Sequence, residues 1–278
     1  MKIERIAAFS DGQSGGNPAG VVVTEQPLEL GEMQRVAADV NYSETVFAHH
    51  EGPSSKIWRV RYFSPETEVP FCGHATIALG AALARRFGTD RYELILNSAR
   101  ITVDGRREAG QCSATLRSPP TSNGLATEHE TDEAMSLFGF DTDDLDARLP
   151  VARIHGGADH LMLALKDREV LRRMSYDLDE GRRMMREHGF VTIMLVYVDA
   201  ERRFTVRNAF ASGGVLEDPA TGAAAAAFAG LLRDQSWPHG DEFTIVQGED
   251  MGARSLITVS YPDPSDRSVF VHGLTHLI

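Results

Sequence analysis

Two stretches of this chain carry no charged side chain: His74–Ala84 (HATIALGAALA) and Pro219–Leu232 (PATGAAAAAFAGLL), ended by Arg85 and Arg233. Their alanine and leucine content reads as helix. A helix that is apolar around its whole circumference must be covered on every side. Neither stretch is long enough to cross a bilayer, which takes about 20 apolar residues, so protein must supply the cover. Their small residues allow sheet backbone to approach closely. Most of the remaining chain reads as short strands, and the two helices each follow several of them. The expected fold class is therefore α+β: two similar halves, each a curled, barrel-like sheet wrapped around one central helix. The competing reading of the same residues is two ordinary core helices in one large α/β domain.

The strand segments are short runs rich in β-branched and aromatic residues. They are expected at Ile3–Phe9, Gly20–Thr24, Thr45–His49, Ile57–Phe63, Tyr92–Leu96, Ile101–Val103 and Cys112–Arg117, with Asp104-Gly105 as a tight turn. After Pro119-Pro120 and the polar run Thr121–Glu133 the texture restarts. Strands are then expected at Val151–Ile154, Leu161–Leu165, Val191–Val198, Phe204–Asn208, Phe243–Gln247, Leu256–Ser260 and Val269–His272. Further helices fit Gly31–Asp39, Glu133–Phe138, Arg168–Met174 and Leu178–His188. The expected halves are residues 1–118 and 119–264, with the last strand, 265–278, completing the first half.

At 278 residues the chain suits two domains of common size. Its formal charge is 28 − 40 = −12, a field that repels nucleic acid and anionic membranes. The expected partner is a small-molecule carboxylate held by local donors. Cys72 and Cys112 make neither a disulfide framework nor a CxxC pair, so a reducing, cytoplasmic setting is expected. The first residues, MKIERIAAFSDG, hold too few apolar residues for a signal peptide.

Chemistry concentrates where the two apolar helices begin, at Phe71-Cys72-Gly73-His74-Ala75-Thr76 and Glu217-Asp218-Pro219-Ala220-Thr221-Gly222. A helix N-terminus offers unpaired N–H groups and a positive dipole end, which suits a carboxylate. Two such starts facing one cleft would hold a small anion. Asp218 before Pro219 reads equally well as an ordinary helix cap, and His74 as a satisfied core histidine. Glu44, in Asn41-Tyr42-Ser43-Glu44-Thr45-Val46-Phe47, sits where a helix pattern gives way to a strand. A carboxylate shielded there has its pKa raised from about 4.3 toward neutrality, which suits proton transfer. Its plain alternative is an exposed loop glutamate.

Five separated segments occur in one order: Gly16-Asn17-Pro18-Ala19-Gly20, Ser43-Glu44-Thr45, Phe71–Thr76, Gly214–Gly222 and Gln247-Gly248. In these the chain resembles the PhzF-like phenazine-biosynthesis isomerase family over nearly its whole length. The resemblance implies a diaminopimelate epimerase-like fold with the active site between the halves, a homodimer, and a reaction without cofactor or metal. That reaction is isomerisation of trans-2,3-dihydro-3-hydroxyanthranilate, in which a glutamate takes a proton from one ring carbon and a proton returns elsewhere. Carried over by motif, the catalytic residues are Glu44, His74 and Asp218. The expected substrate-binding residues are Asn17, Ser43, Cys72, Gly73, Thr221, Gly222 and Ala223. The family's usual serine after the last glycine of EDPATG is Ala223 here, and Phe210-Ala211-Ser212 lacks a frequent proline. Two alternatives accompany this reading. One is an amino-acid epimerase or racemase using Cys72 as one base, since a helix N-terminus lowers a thiol pKa; the other is a non-catalytic binding protein on the same scaffold.

Weaker signals point elsewhere. Gly12–Gly20 lacks G-x-G-x-x-G spacing and reads as a turn rather than a nucleotide loop. His155 and His160 flank a Gly-Gly turn without a metal-ligand pattern.

Overall fold

The segment Ile57–Phe63 alternates, burying Trp58, Val60 and Tyr62 and turning Arg59 and Arg61 outward, as a strand with one covered face must. The same period runs through Gln111–Arg117, Ser255–Ser260 and Phe270–Leu277 of the computed structural model, which describes residues 1–51, 56–263 and 265–278. The chain divides into two units, Met1–Arg117 with His272–Ile278, and Ser118–Val271. The expected boundary at residue 264 lies outside the described residues.

The first unit holds strands β1 (Glu4–Ala8), β2 (Asn17–Thr24), β3 (Glu44–His50), β4 (Ile57–Phe63), β5 (Glu68–Val69), β6 (Asp90–Ile95), β7 (Arg100–Glu108) and β8 (Gln111–Arg117). Its helices are α1 (Leu30–Val40) and α2 (Gly73–Phe87), and most of the chain's last strand, β17 (Phe270–Leu277), belongs to it. The pairings run β1–β2–β3–β4–β6–β7–β8–β17 and back to β1, so the sheet closes into a barrel. Crossover helices make β2–β3 and β4–β6 parallel; the short β5 turns back against β4. Helix α2 fills the barrel: every residue from His74 to Ala84 is buried, against β1, β2, β3, β7 and β8.

The second unit repeats the scheme. It holds β9 (Ser122–Leu125), α3 (Glu128–Phe138), β10 (Ala152–His155), β11 (Asp159–Leu165), α4 (Arg168–Arg172), α5 (Leu178–His188), β12 (Thr192–Ala200), β13 (Arg203–Ala209), β14 (Glu217–Asp218), α6 (Gly222–Asp234), β15 (Glu242–Gln247) and β16 (Ser255–Ser260). Its strands pair in the order β9–β10–β11–β12–β13–β15–β16, with β11–β12 and β13–β15 parallel and β14 against β13. Helix α6 is buried from Ala224 to Leu232 and lies on β9, β10, β11 and β16. A second layer, α3, α4 and α5, buries Leu137, Phe138, Leu171, Met184 and Met185 against the outer side of β11 and β12.

Small residues set the helix–sheet distance. A Cβ on Gly105 of β7 would stand 2.3 Å from the Gly80 carbonyl oxygen in α2, and one on Gly80 would meet Val103 Cγ2 at 2.6 Å. In the second unit a Cβ on Gly156 would meet the Ala227 nitrogen at 2.7 Å. Charges return only at the helix ends. Arg86 Nε donates to the buried Glu4 at 2.9 Å, Arg85 pairs with the same carboxylate, and Arg233 Nη1 donates to the Asp266 carbonyl at 2.8 Å. Cations there also favour the negative end of the helix dipole.

Several expectations are corrected. Asp104-Gly105 is mid-strand; the turn is Ala109-Gly110, both at positive φ (48° and 85°), and Gly105 serves close approach to α2 instead. The polar run after Pro120 contains β9, paired with β10, whose mostly exposed residues give no alternation to read. Helix α3 starts at Glu128 on a Thr127/Glu130 capping box. Asp218 is not a helix cap: it lies in β14, and α6 starts three residues after Pro219 with Thr221 in the cap position.

Gly105→Ala should lower stability by about 1–3 kcal/mol, the usual cost of overpacking. Urea unfolding checks this, and a loss under about 0.5 kcal/mol would contradict the close-approach argument.

Candidate active site

In the first unit, β3 begins at Glu44 and α2 begins just after Cys72. Asn41 ends α1 in the left-handed region (φ 55°), so the chain turns sharply and delivers Ser43 and Glu44 to the helix start. Glu44 is largely covered, its side chain 15% exposed, with Oε2 3.4 Å from His74 Nε2. Ser43 Oγ lies 3.5 Å from the same nitrogen. On the other ring edge, Asn17 Nδ2 is 3.3 Å from His74 Nδ1, and Cys72 Sγ is also 3.3 Å from it. With the Asn17 amide donating to Nδ1, the ring carries its proton on Nε2 and points it at the Glu44 carboxylate. The expected residues Asn17, Ser43, Glu44, Cys72, Gly73 and His74 thus form one cluster. Glu44 opens a strand and is largely covered rather than exposed in a loop, while His74 is buried with polar partners on both ring edges, as a satisfied core histidine also is.

Beneath the cluster, Tyr62 Oη lies 2.7 Å from Thr76 Oγ1, which donates to the Cys72 carbonyl at 2.7 Å. Burial pushes the Tyr62 phenol up, out of the titrating range. This bracket fixes the first turn of α2 without exposing an acid.

In the second unit, Asp218 Oδ2 accepts from Thr221 Oγ1 at 2.5 Å. Gln247 Nε2 donates to the Asp218 carbonyl at 2.7 Å and to Thr221 Oγ1 at 3.0 Å, while its Oε1 accepts from the Thr221 N–H at 3.1 Å. That N–H is therefore engaged within the protein. Any anion at this helix start would use the N–H groups of Gly222 and Ala223, which a first turn leaves unpaired. Gly248 must be glycine: φ is 73°, and a Cβ would stand 2.7 Å from the Pro219 carbonyl. The Gln247-Gly248 pair thus clamps the Asp218 segment, a role not assigned to Gln247 from sequence.

The two units use the same frame. In β4/β5, Phe63 pairs with Glu68; in β13/β14, Ala209 pairs with Glu217. Arg61 grips Glu68 with two bonds (2.8 and 2.5 Å), and Arg207 grips Glu217 likewise (3.1 and 2.6 Å). The helix cap follows four residues after each glutamate, at Cys72 and Thr221. Register then places Thr192 at the position of Glu44, Ala223 at that of His74, and Asp218 at that of Val69. The missed Arg–Glu clamps had a signal: the repeated Glu-x-Pro of Glu68-Val69-Pro70 and Glu217-Asp218-Pro219.

Where the first unit has Glu44, the second has a sealed network. His160 Nδ1 lies 2.8 Å from Thr192 Oγ1, which donates to Asn208 Oδ1 at 3.1 Å. The threonine proton is committed to Asn208, so His160 carries its proton on Nδ1. Its Nε2 has no hydrogen-bond partner among the described residues. Burial pushes the His160 pKa down to about 3. His155, across the turn, pairs with exposed Asp159 at 2.8 Å.

A family model described as phenazine biosynthesis-like protein matches residues 6–276. An uncharacterized isomerase of Deinococcus radiodurans is 33% identical over 234 residues, covering 83% of this chain and 75% of its own. The trans-2,3-dihydro-3-hydroxyanthranilate isomerase of Pseudomonas chlororaphis is 29% identical over 257 residues, covering 91% and 87%. A PhzF-family phenazine biosynthesis protein of Bacillus anthracis matches with a TM-score of 0.85 at 23% identity, covering 100% of this chain and 98% of that one. That likeness speaks for the fold.

His160 has a pH consequence. Its folded pKa, about 3, lies below its unfolded value of 6.5, so below pH 6.5 the unfolded chain binds the extra proton. Stability should therefore be intact above about pH 6.5 and fall by a few kcal/mol toward about pH 3. His160→Asn should flatten this acid limb in urea titrations at stepped pH. Equal slopes in both proteins would contradict the assignment.

Proposed function

The chain belongs to the phenazine biosynthesis-like protein family and is an isomerase, and from that premise we propose that it moves a proton on a small carboxylated, cyclic substrate of the trans-2,3-dihydro-3-hydroxyanthranilate class. The observation that carries the reading is the covered Glu44 carboxylate at the start of α2, with His74 Nε2 at 3.4 Å.

In this reading Glu44 takes a proton from a ring carbon. The electron pair of the broken C–H bond moves through the conjugated system, and a proton returns at another carbon, so the formula is unchanged. His74 orients the Glu44 carboxylate and steadies its charge. The unpaired N–H groups at the start of α2 suit a carboxylate and the charge that develops on it. Asp218, held by Thr221 and Gln247, relays protons or positions a polar substrate group. Ala223 supplies no hydroxyl, which leaves Asp218, Thr221 and Gln247 as side-chain polar groups at that helix start. The reading needs no cofactor, and with the family resemblance it carries a homodimer.

One observation keeps a second reading in view: Cys72 Sγ sits 3.3 Å from His74 Nδ1, within reach of a nitrogen that can take the thiol proton. An epimerase built on Cys72 would need a second base. The corresponding position is Thr221, whose hydroxyl already donates to Asp218 and is a poor base. The Glu44 mechanism is favoured on that ground.

Glu44→Gln should lower kcat/KM by about 10²–10⁴-fold, the usual loss of a positioned acid–base group, with an unchanged melting temperature. Steady-state assays with trans-2,3-dihydro-3-hydroxyanthranilate check this; near-full activity would remove Glu44 from the mechanism. If Cys72 were a base, iodoacetamide would inactivate the enzyme and substrate would protect it. Activity surviving complete Cys72 alkylation would exclude that role.

A further inference from the structure

We propose that Asn208 is a positioning residue for Asp218, its side-chain amide donating to the Asp218 carboxylate as substrate fills the site. The role rests on the part given to Asp218 above. Asn208 and Asp218 are register partners across β13 and β14, and both are buried. The Phe210 N–H donates to the Leu216 carbonyl at 3.3 Å. Hydrogen-bonded pairs recur every second residue of an antiparallel ladder, so Asn208 and Asp218 form the next such pair. Their Cα atoms then stand about 5.5 Å apart, with both side chains on one face.

One prong of the amide is fixed. Asn208 Oδ1 accepts from Thr192 Oγ1 at 3.1 Å, and that hydroxyl is held in turn by His160 Nδ1 at 2.8 Å. Thr192 lies on β12, along one edge of β13, and Asp218 on β14, along the other. A planar amide with its oxygen toward β12 turns its nitrogen toward β14. That nitrogen, Nδ2, is buried and has no hydrogen-bond partner among the described residues, a state that calls for an explanation. The reverse amide assignment would face an oxygen toward a carboxylate, acceptor against acceptor. Contacts of this kind are often open in an unliganded enzyme and close in the complex. The first unit supports the pairing by contrast. There Tyr62 faces Val69, and its hydroxyl goes to Thr76 at 2.7 Å instead. Amide and carboxylate occur together in one unit and are missing together from the other.

The test is steady-state kinetics on trans-2,3-dihydro-3-hydroxyanthranilate with Asn208→Asp, Asn208→Leu, Asp218→Asn and the two double variants, each with its melting temperature. Asn208→Asp keeps the oxygen that Thr192 needs and loses the donor. Asn208→Leu loses the donor without adding charge. Both should lower kcat by about 10-fold to 10²-fold, the scale of a misplaced reacting group. KM should stay within about twofold, the signature of an interaction made in the transition state alone. In the Asp218→Asn background neither should cost anything further. If neither Asn208 variant folds, Thr192→Val, which frees the amide to flip, carries the same comparison. An unchanged kcat, with or without a lower melting temperature, would overturn the role of Asn208 and leave that of Asp218 standing. Losses that multiply with that of Asp218→Asn would do the same. Full activity of Asp218→Asn would instead overturn the part given to Asp218, and this role with it.

Discussion

A helix with no charged residue over eleven positions has no side that water can usefully solvate, and in this chain that happens twice, in α2 and α6. The cover must come from sheet, and it must come close. Gly80 against Gly105, and Gly156 against Ala227, are the points where any added methyl group would collide. Once each helix is wedged at that distance, its start is fixed to within the slack of a side chain. Arginines at the far ends, held by Glu4 and by the Asp266 carbonyl, complete the fixing. The candidate site residues gather at the starts, the ends whose N–H groups remain to be satisfied.

The repeated frame carries unequal side chains. Both units use an arginine–glutamate clamp, a short returning strand and a helix cap four residues on. Among the described residues, only the first unit places a carboxylate, a thiol and an imidazole around its helix start. Its counterparts, Thr192, Thr221 and Ala223, do not titrate near neutrality. The second unit has Asp218 at a position where the first has Val69. The proposed acid–base pair, Glu44 and His74, matches this asymmetry, which a symmetric pair of bases would not.

Much of this was legible from the chain. The charge-free stretches mark the two central helices because complete burial leaves a compositional trace. Glu44, His74 and Cys72 were found through short segments that cluster at turns and helix starts. What escaped depends on contacts between residues distant in sequence. Gly105 looked like a turn because a glycine needed for approach to Gly80 and one needed for positive φ are the same letter. Asp218 before Pro219 looked like a cap, yet Thr221 and Gln247 hold it in a strand instead. The function of Gln247 required knowing that β15 lies where its amide can reach the Thr221 backbone. Strand β9, mostly exposed, left no periodic pattern at all.

The central claim is that the protein transfers a proton between carbons of its substrate. The most direct test is proton NMR of trans-2,3-dihydro-3-hydroxyanthranilate with the wild-type protein in D₂O. The account predicts isomerisation with deuterium appearing at the carbon that receives the proton, since a covered but not sealed Glu44 exchanges with solvent. A substrate left unchanged and unlabelled, with the protein folded and at high concentration, would contradict it.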